Sequence, residues 1–352
     1  MTEFTYTSLP TRVVFGAGSL ASLEDEIERL GATRALVLST PGQRADAEAV
    51  AARLGARCAG VYDRAVMHVP IETARDARAE ASRLGADCAV ALGGGSTIGL
   101  GKAIALEQDL PILAIPTTYA GSEMTPIYGI TEAGIKKTGR DVRVLPRTVI
   151  YDPDLTLGLP VAMSVTSGMN ALAHACEGLY APDANPIMSL IAVEGIAALA
   201  ANLPRVVKNP SDRDARSACL YGAWLCGTVL GHLAMSLHHK LCHTLGGSFN
   251  LPHAETHSVV LPHVLAYNRD PAPDAMRRIA QALGSDDAAR GMHALARTLE
   301  APRSLRELGM PADGIDRVIE LTLTHRYANP RELEAAALRR LLKDAWEGNE
   351  PA

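Results

Sequence analysis

Up to about Pro153 the chain alternates two hydrophobic patterns. Leu20 to Leu30 places apolar residues at helical spacing, Gly31 stops the run, and Ala35 to Ser39 is a short, continuously apolar stretch that predicts a buried strand. The beat repeats as a helix from Ala45 to Leu54, Gly55, and a strand from Ala59 to Tyr62. It repeats again as a helix from Ala74 to Leu84, Gly85, and a strand from Cys88 to Leu92, with a further strand expected at Pro111 to Ile115. Unbroken apolar strands alternating with helices predict a parallel sheet covered on both faces. Beyond Pro153 the strand pattern vanishes, and helical spacing dominates at Pro186 to Leu203, Asp214 to Leu245, Pro273 to Leu283 and Arg331 to Glu347. The expected architecture is α/β plus all-α: a parallel-sheet domain over residues 1–153 and a helical domain over 154–352.

A length of 352 residues agrees with two cores, since one core rarely serves a chain this long. A net charge of −5 without a basic block excludes nucleic acid and anionic membrane surfaces as natural partners. Ala215 to Leu237 is long enough to span a bilayer, but it contains Arg216 and His232 and runs into His238-His239-Lys240. A buried core helix is the expectation, with no membrane partner. The six cysteines form no C-x-x-C pair, and Met-Thr-Glu-Phe-Thr at the start carries no export signal; a reducing cytoplasm is expected.

The sharpest local signal is Val90-Ala91-Leu92-Gly93-Gly94-Gly95-Ser96-Thr97, followed by an apolar helix containing Lys102. Glycines without Cβ atoms admit a ligand to the backbone, and a helix start with a Ser/Thr cap offers free N–H groups and a positive dipole end. That suits a pyrophosphate; a tight strand–helix turn without a ligand is the alternative. A P-loop is excluded because Ser96 and Ala103 stand where Gly and Ser/Thr are required. Gly16-Ala17-Gly18-Ser19-Leu20-Ala21 also fits G-x-G-x-x-A, but no acidic residue follows at the expected distance, so it reads as a chain-entry turn. The strand that ought to carry that acid ends Leu38-Ser39-Thr40-Pro41. With Thr40 in place of a carboxylate, nothing there would repel a 2′-phosphate, so a dinucleotide with or without one is expected to be accepted.

Eight of the eleven histidines fall between His174 and His263. Asn170 and His174 share one helix face, and His239 and His243 share another, with Lys240 beside them and His253 just after Pro252. Imidazoles gathered in this way suit metal binding or proton transfer.

These strings together resemble the iron-containing alcohol dehydrogenase superfamily: Gly93-Gly94-Gly95-Ser96, Pro116-Thr117-Thr118-Tyr119-Ala120-Gly121-Ser122-Glu123, Gly168-Met169-Asn170-Ala171-Leu172-Ala173-His174, and His239-x3-His243-x9-His253. The resemblance runs from Arg12 to Arg331 and implies a dehydroquinate synthase-like fold, with a dinucleotide-binding domain followed by a helical catalytic domain. It implies that Gly94, Gly95, Ser96, Thr117, Thr118, Ser122 and Lys136 contact the nicotinamide dinucleotide, and that the protein is a homodimer. Two departures narrow it. Asn170 stands where the metal enzymes carry an Asp ligand, and Gly99 stands where they carry Asp in Gly-Gly-Gly-Ser-x-x-Asp. With Tyr119 to Tyr128 and Met67-His68-Val69-Pro70, they resemble the maleylacetate reductase branch, which implies reduction of a dicarboxylate enone in bacterial breakdown of aromatic compounds such as resorcinol.

An amide at Asn170 would leave a cation held by His174, His239 and His253 without an anion, so any metal site should be weak and the metal dispensable. The developing negative oxygen would then be met by Lys240 and by histidines, with His243 or His253 delivering the proton. Lys240 and the Arg326/Arg331 region are candidates for the two substrate carboxylates. A metal-dependent alcohol dehydrogenase or aldehyde reductase, and a dehydroquinate synthase-like lyase, are the competing readings.

Overall fold

The computed structural model describes residues 3–133, 135–324 and 327–352, and of Ile135 and Lys136 it describes the backbone alone. Two compact units result. One is Ser8–Leu159; the other is Pro160–Ala352 together with the chain ahead of Ser8. The division lies six residues beyond the expected Pro153, because a turn over Pro153–Thr156 is capped by Asp152 at the end of the last strand and so continues the first unit. The residues ahead of Ser8 side with the helices, where Tyr6 stacks on His232 at 5.7 Å.

The first unit holds a six-stranded parallel sheet in the order β1-β8-β5-β4-β2-β3. Its strands are β1 (Arg12–Phe15), β2 (Ala35–Leu38), β3 (Cys58–Tyr62), β4 (Cys88–Gly93), β5 (Ile112–Pro116) and β8 (Thr148–Tyr151). Between β5 and β8 the chain forms an antiparallel hairpin, β6 (Ile127–Glu132) and β7 (Ile135–Arg140). The helices are α1 (Leu23–Arg29), α2 (Arg44–Leu54), α3 (Ile71–Leu84) and α4 (Gly95–Gln108). The unbroken apolar runs are explained by a core on each face of the sheet. From β2, Ala35 and Val37 point into a core with Leu23, Ile27, Ala47 and Val50 of α1 and α2. Leu36 and Leu38 point the other way, onto Ala74, Ala77, Leu100 and Ile104 of α3 and α4.

The hydrophobic pattern did not separate out β6 and β7, whose runs IYGITE and IKKTGR mix apolar with polar residues, or β8, a four-residue strand that no α-helix immediately precedes.

The second unit is built from α5 (Val161–Gly178), α6 (Pro186–Lys208), α7 (Arg213–His232), α8 (Leu237–Phe249), α9 (His253–Tyr267), α10 (Pro273–Ala282), α11 (Ala288–Thr298), α12 (Gly314–Thr324) and α13 (Ala335–Glu347). The expected single helix from Asp214 to Leu245 is two, bent by 94° at the break after His232. Arg216 makes α7 a core helix: fully buried, it donates to Ser164 Oγ at 2.6 Å and to Pro210 O at 3.0 Å. α6 is long and apolar enough to cross a membrane by length and composition, yet it packs on α5 and α7. Gly195 of α6 and Gly222 of α7 make that approach possible, because a Cβ on Gly222 would sit 3.1 Å from Gly195 O.

Candidate functional site

Three loops gather at the carboxyl ends of the neighbouring strands β2, β4 and β5. Thr40 ends the first, Gly94 forms the second and leads into Gly95 and Ser96 at the start of α4, and Thr117, Thr118 and Ser122 lie on the third. They are tied to one another: Thr117 N donates to Gly93 O at 3.1 Å, and Gln43 Nε2 donates to Thr117 Oγ1 at 3.0 Å. The side chain of Lys136 lies outside the described residues.

The expected Ser/Thr cap is corrected. Gly94 is the cap of α4, Gly95 opens the helix, and Thr97 and Ile98 both donate to Gly94 O. The amides ahead of Thr97 therefore precede the first helical hydrogen bond and face outward at the positive end of the helix. A Cβ on Gly95 would meet nothing within 4 Å, whereas one on Gly94 would come within 2.8 Å of Thr118 Oγ1. The chain thus leaves an open cradle over Gly95, which fits the pyrophosphate of a dinucleotide.

Lys102 does not reach that cradle. It is buried, and its Nζ donates among Ser122 O, Thr125 O, Thr125 Oγ1 and Ile127 O at 2.7–2.9 Å, tethering the loop that carries Ser122 to α4. Burial pushes its pKa down to about 7, opposed by the buried Glu123.

The other glycine string, Gly16 to Ala21, is closed by the protein's own carboxylate. Gly18 N and Leu20 N donate to Asp152 Oδ1 and Oδ2, each at 3.0 Å, so the anion a dinucleotide would bring is already supplied. Gly99 is likewise explained by a neighbour. A Cβ there would come within 2.9 Å of Val69 Cγ2. Val69 is held with a left-handed φ of 47° by Thr131, whose N donates to Val69 O and whose Oγ1 donates to His68 O.

In the helical unit, α5, α8 and α9 bring six imidazoles together. α5 is buried without interruption from Gly168 to Gly178, which places Asn170 and His174 in the interior. On α8 the helical repeat sorts residues into stripes. Leu237, Leu241 and Leu245 enter the core with Val260, Val264, Leu338 and Leu342; His238 and Cys242 form the next stripe, and His239 and His243 the one beyond. From α9 come His253 at the first position and His257 one turn later. His174 stacks on His239 with centroids 5.1 Å apart, His243 on His253 at 5.9 Å, and His253 meets His257 edge-on at 4.4 Å. Two histidines of the sequence cluster lie apart: His232 bonds Thr228 O, and His263 is buried near His293, its pKa pushed down to about 4 by desolvation.

The cluster has a deep and a shallow side. His174, His238 and His257 are buried, and desolvation followed by the neighbouring imidazoles holds each well below the ordinary histidine range, so they are neutral. His253 is half-buried and His243 exposed. Lys240, half-buried, lies with Nζ 5.0 Å from the centre of the Tyr327 ring, and burial lowers its pKa. Arg331 stacks on Tyr267 at 4.5 Å and donates to Tyr267 O, so it braces α9. Arg326 lies outside the described residues.

Sequence reasoning missed Glu177. It follows His174 by three residues on α5, is fully buried, and accepts a 2.6 Å hydrogen bond from His239 Nδ1. It also missed the pairing beneath the cluster, where His238 Nε2 and His257 Nδ1 are 2.9 Å apart and Cys242 Sγ is 3.7 Å from the same Nε2. That nitrogen–nitrogen distance is a hydrogen bond, shorter than the separation of two ligands on one tetrahedral ion.

Residues 10–153 match the model of the iron-containing alcohol dehydrogenases, and residues 164–346 match the C-terminal model of the Fe-containing alcohol dehydrogenase family. A maleylacetate reductase of Burkholderia cepacia is 63% identical over 352 residues, the whole of both chains. The crystal structure of a maleylacetate reductase from Agrobacterium tumefaciens superposes with a TM-score of 0.97 at 56% identity, covering all of both chains. A 1,3-propanediol oxidoreductase superposes at 0.91 with 27% identity, covering 98% of this chain and all of the other.

Proposed function

The chain belongs to the iron-containing alcohol dehydrogenase family, in the branch of the maleylacetate reductases, and from that premise we propose how its residues reduce the carbon–carbon double bond of maleylacetate to 3-oxoadipate. A nicotinamide dinucleotide, NADH or NADPH, supplies the hydride when bound. Gly94, Gly95 and Ser96 would hold its pyrophosphate, flanked by Thr117, Thr118 and Ser122, with Thr40 near the adenosine ribose and Lys136 as a further contact. Hydride addition at the alkene carbon remote from the ketone moves the electron pair onto the ketone oxygen. Lys240 and the imidazole N–H groups of the cluster stabilise that enolate, and His243 or His253 delivers a proton to the remaining alkene carbon. The shallow positions of His243 and His253 support this role, because protons must be resupplied from water.

The observation that carries a metal-independent mechanism is Asn170 beside His174. A cation here would face an amide oxygen and neutral imidazoles, and Glu177, the carboxylate within the cluster, is engaged by donors on α8. Without an anionic ligand, that donor set would hold a divalent ion more weakly than an Asp and three His would. NADH oxidation with maleylacetate, run beside simple aldehydes, is expected to persist after prolonged chelation, with aldehydes poor substrates. One metal ion per chain whose removal abolishes activity and whose return restores it would reject this mechanism in favour of a metal-dependent aldehyde reductase.

Cofactor choice follows from Thr40. NADH and NADPH are expected to give kcat/KM values within about tenfold of each other, because no carboxylate ends β2 to repel a 2′-phosphate. A thousandfold preference for NADH would overturn the assignment of Thr40. A cytoplasmic homodimer acting in aromatic-compound breakdown belongs to the same proposal. It is supported by six free thiols, by the exposed rings of Phe4 and Tyr6, and by the position of β1 at the sheet edge. Light scattering at twice the chain mass is the expected result.

A further inference from the structure

We propose that Glu177 is a positioning residue for the reaction, acting through His239. The inference rests on reading the histidine cluster as the place where the substrate is reduced. Four donors converge on this one carboxylate. Oε2 accepts from His239 Nδ1 at 2.6 Å, from Ser236 N at 3.0 Å and from His239 N at 3.3 Å, while Oε1 accepts from His238 N at 2.8 Å. Ser236 is the cap residue of α8, and its own side chain caps nothing. A carboxylate from α5 therefore serves as the cap of α8, supplies the negative charge that a helix start favours, and fixes the turn between α7 and α8.

The same carboxylate selects one orientation of the His239 ring. With Nδ1–H directed at Glu177, Nε2 is the nitrogen left for the reacting atoms; it is buried and has no hydrogen-bond partner among the described residues. The logic is that of a carboxylate holding a catalytic imidazole in one tautomer and one rotamer. Each of the four groups hydrogen-bonded to Glu177 is a donor, so a carboxylate satisfies all of them. A glutamine satisfies only those on its oxygen and sets its NH2 group against another N–H. Charge and acceptor count at 177, more than side-chain size, are what the arrangement requires.

The test compares Glu177→Gln, His239→Ala and the double variant in steady-state reduction of maleylacetate. Glu177→Gln is expected to lower kcat about tenfold while the dinucleotide KM stays within about twofold, the usual scale for losing the partner that orients an active imidazole. In the His239→Ala background the same change should add less than about twofold, since the residue through which it acts is gone. A folded Glu177→Gln enzyme with unchanged kcat, or a loss that multiplies fully onto that of His239→Ala, would overturn the proposal. If Glu177→Gln does not fold, Glu177→Asp keeps the charge but withdraws it by one methylene, and the same kcat-only, non-multiplying loss is required of it. An unchanged kcat in His239→Ala itself would instead reject the cluster as the reaction site, which separates the two failures.

Discussion

His243→Ala and His253→Ala are each expected to lower kcat by on the order of 10²-fold, the usual scale for removing a general acid, with the KM for the dinucleotide little changed. The deep imidazoles His174, His238 and His257 are held neutral by desolvation, and His238 and His257 are hydrogen-bonded to each other. On the proposed mechanism, proton traffic with solvent falls to the shallow pair, whose rings stack at 5.9 Å with only 17° between their planes. His243 leaves the protein on the solvent side of α8, and His253 opens α9 directly after Pro252. The two substitutions should also be less than multiplicative in combination, since stacked residues that serve one proton transfer act as a unit. A kcat within about threefold of the parent in both variants would remove these residues from the chemistry.

Gly95→Val should raise the KM for NADH and NADPH together, by on the order of 10²-fold, while the protein stays folded, because losing a hydrogen bond to a charged phosphate costs about 1.5–3 kcal/mol and each 1.4 kcal/mol is about tenfold. The reason lies in the difference between three consecutive glycines. Gly93 has φ 143°, and a Cβ there would strike Thr97 Oγ1 at 2.7 Å, so a side chain at 93 damages the turn itself. At Gly94 a Cβ would press on Thr118. Only at Gly95, with no positive φ and nothing beyond the adjoining chain within 4 Å, does a side chain enter space the protein leaves empty. Initial rates against cofactor concentration, with a thermal melt to confirm folding, decide the matter. Unchanged dinucleotide KM in a folded Gly95→Val protein would mean that the cradle lies elsewhere.

Features decided by neighbours in the chain are legible in the amino-acid sequence alone. The β4–Gly-Gly-Gly–α4 unit is contiguous, its strand is apolar because both faces of the sheet are covered, and its helix start follows from backbone geometry. The i,i+4 pairs Asn170/His174 and His239/His243 need only the pitch of a helix to share a face. The change from alternating to helical pattern near Pro153 is a property of the sequence, and the compact units divide between Leu159 and Pro160, beyond the turn that Asp152 caps.

What the tertiary structure alone decided involves partners distant in sequence. Asp152 fills the Gly16 to Ala21 turn from more than a hundred residues away, turning a string that matches a dinucleotide loop into a closed structural turn. Val69, 30 residues before it in the chain, occupies the space beside Gly99. Glu177 caps the start of α8 within the run that hydrophobic spacing carried on from Asp214 to Leu245, a partner that no local periodicity encodes. The physical reason is common to all three. Spacing along a chain specifies which residues share a face, whereas a hydrogen-bonding partner or a steric neighbour is specified only when two faces meet.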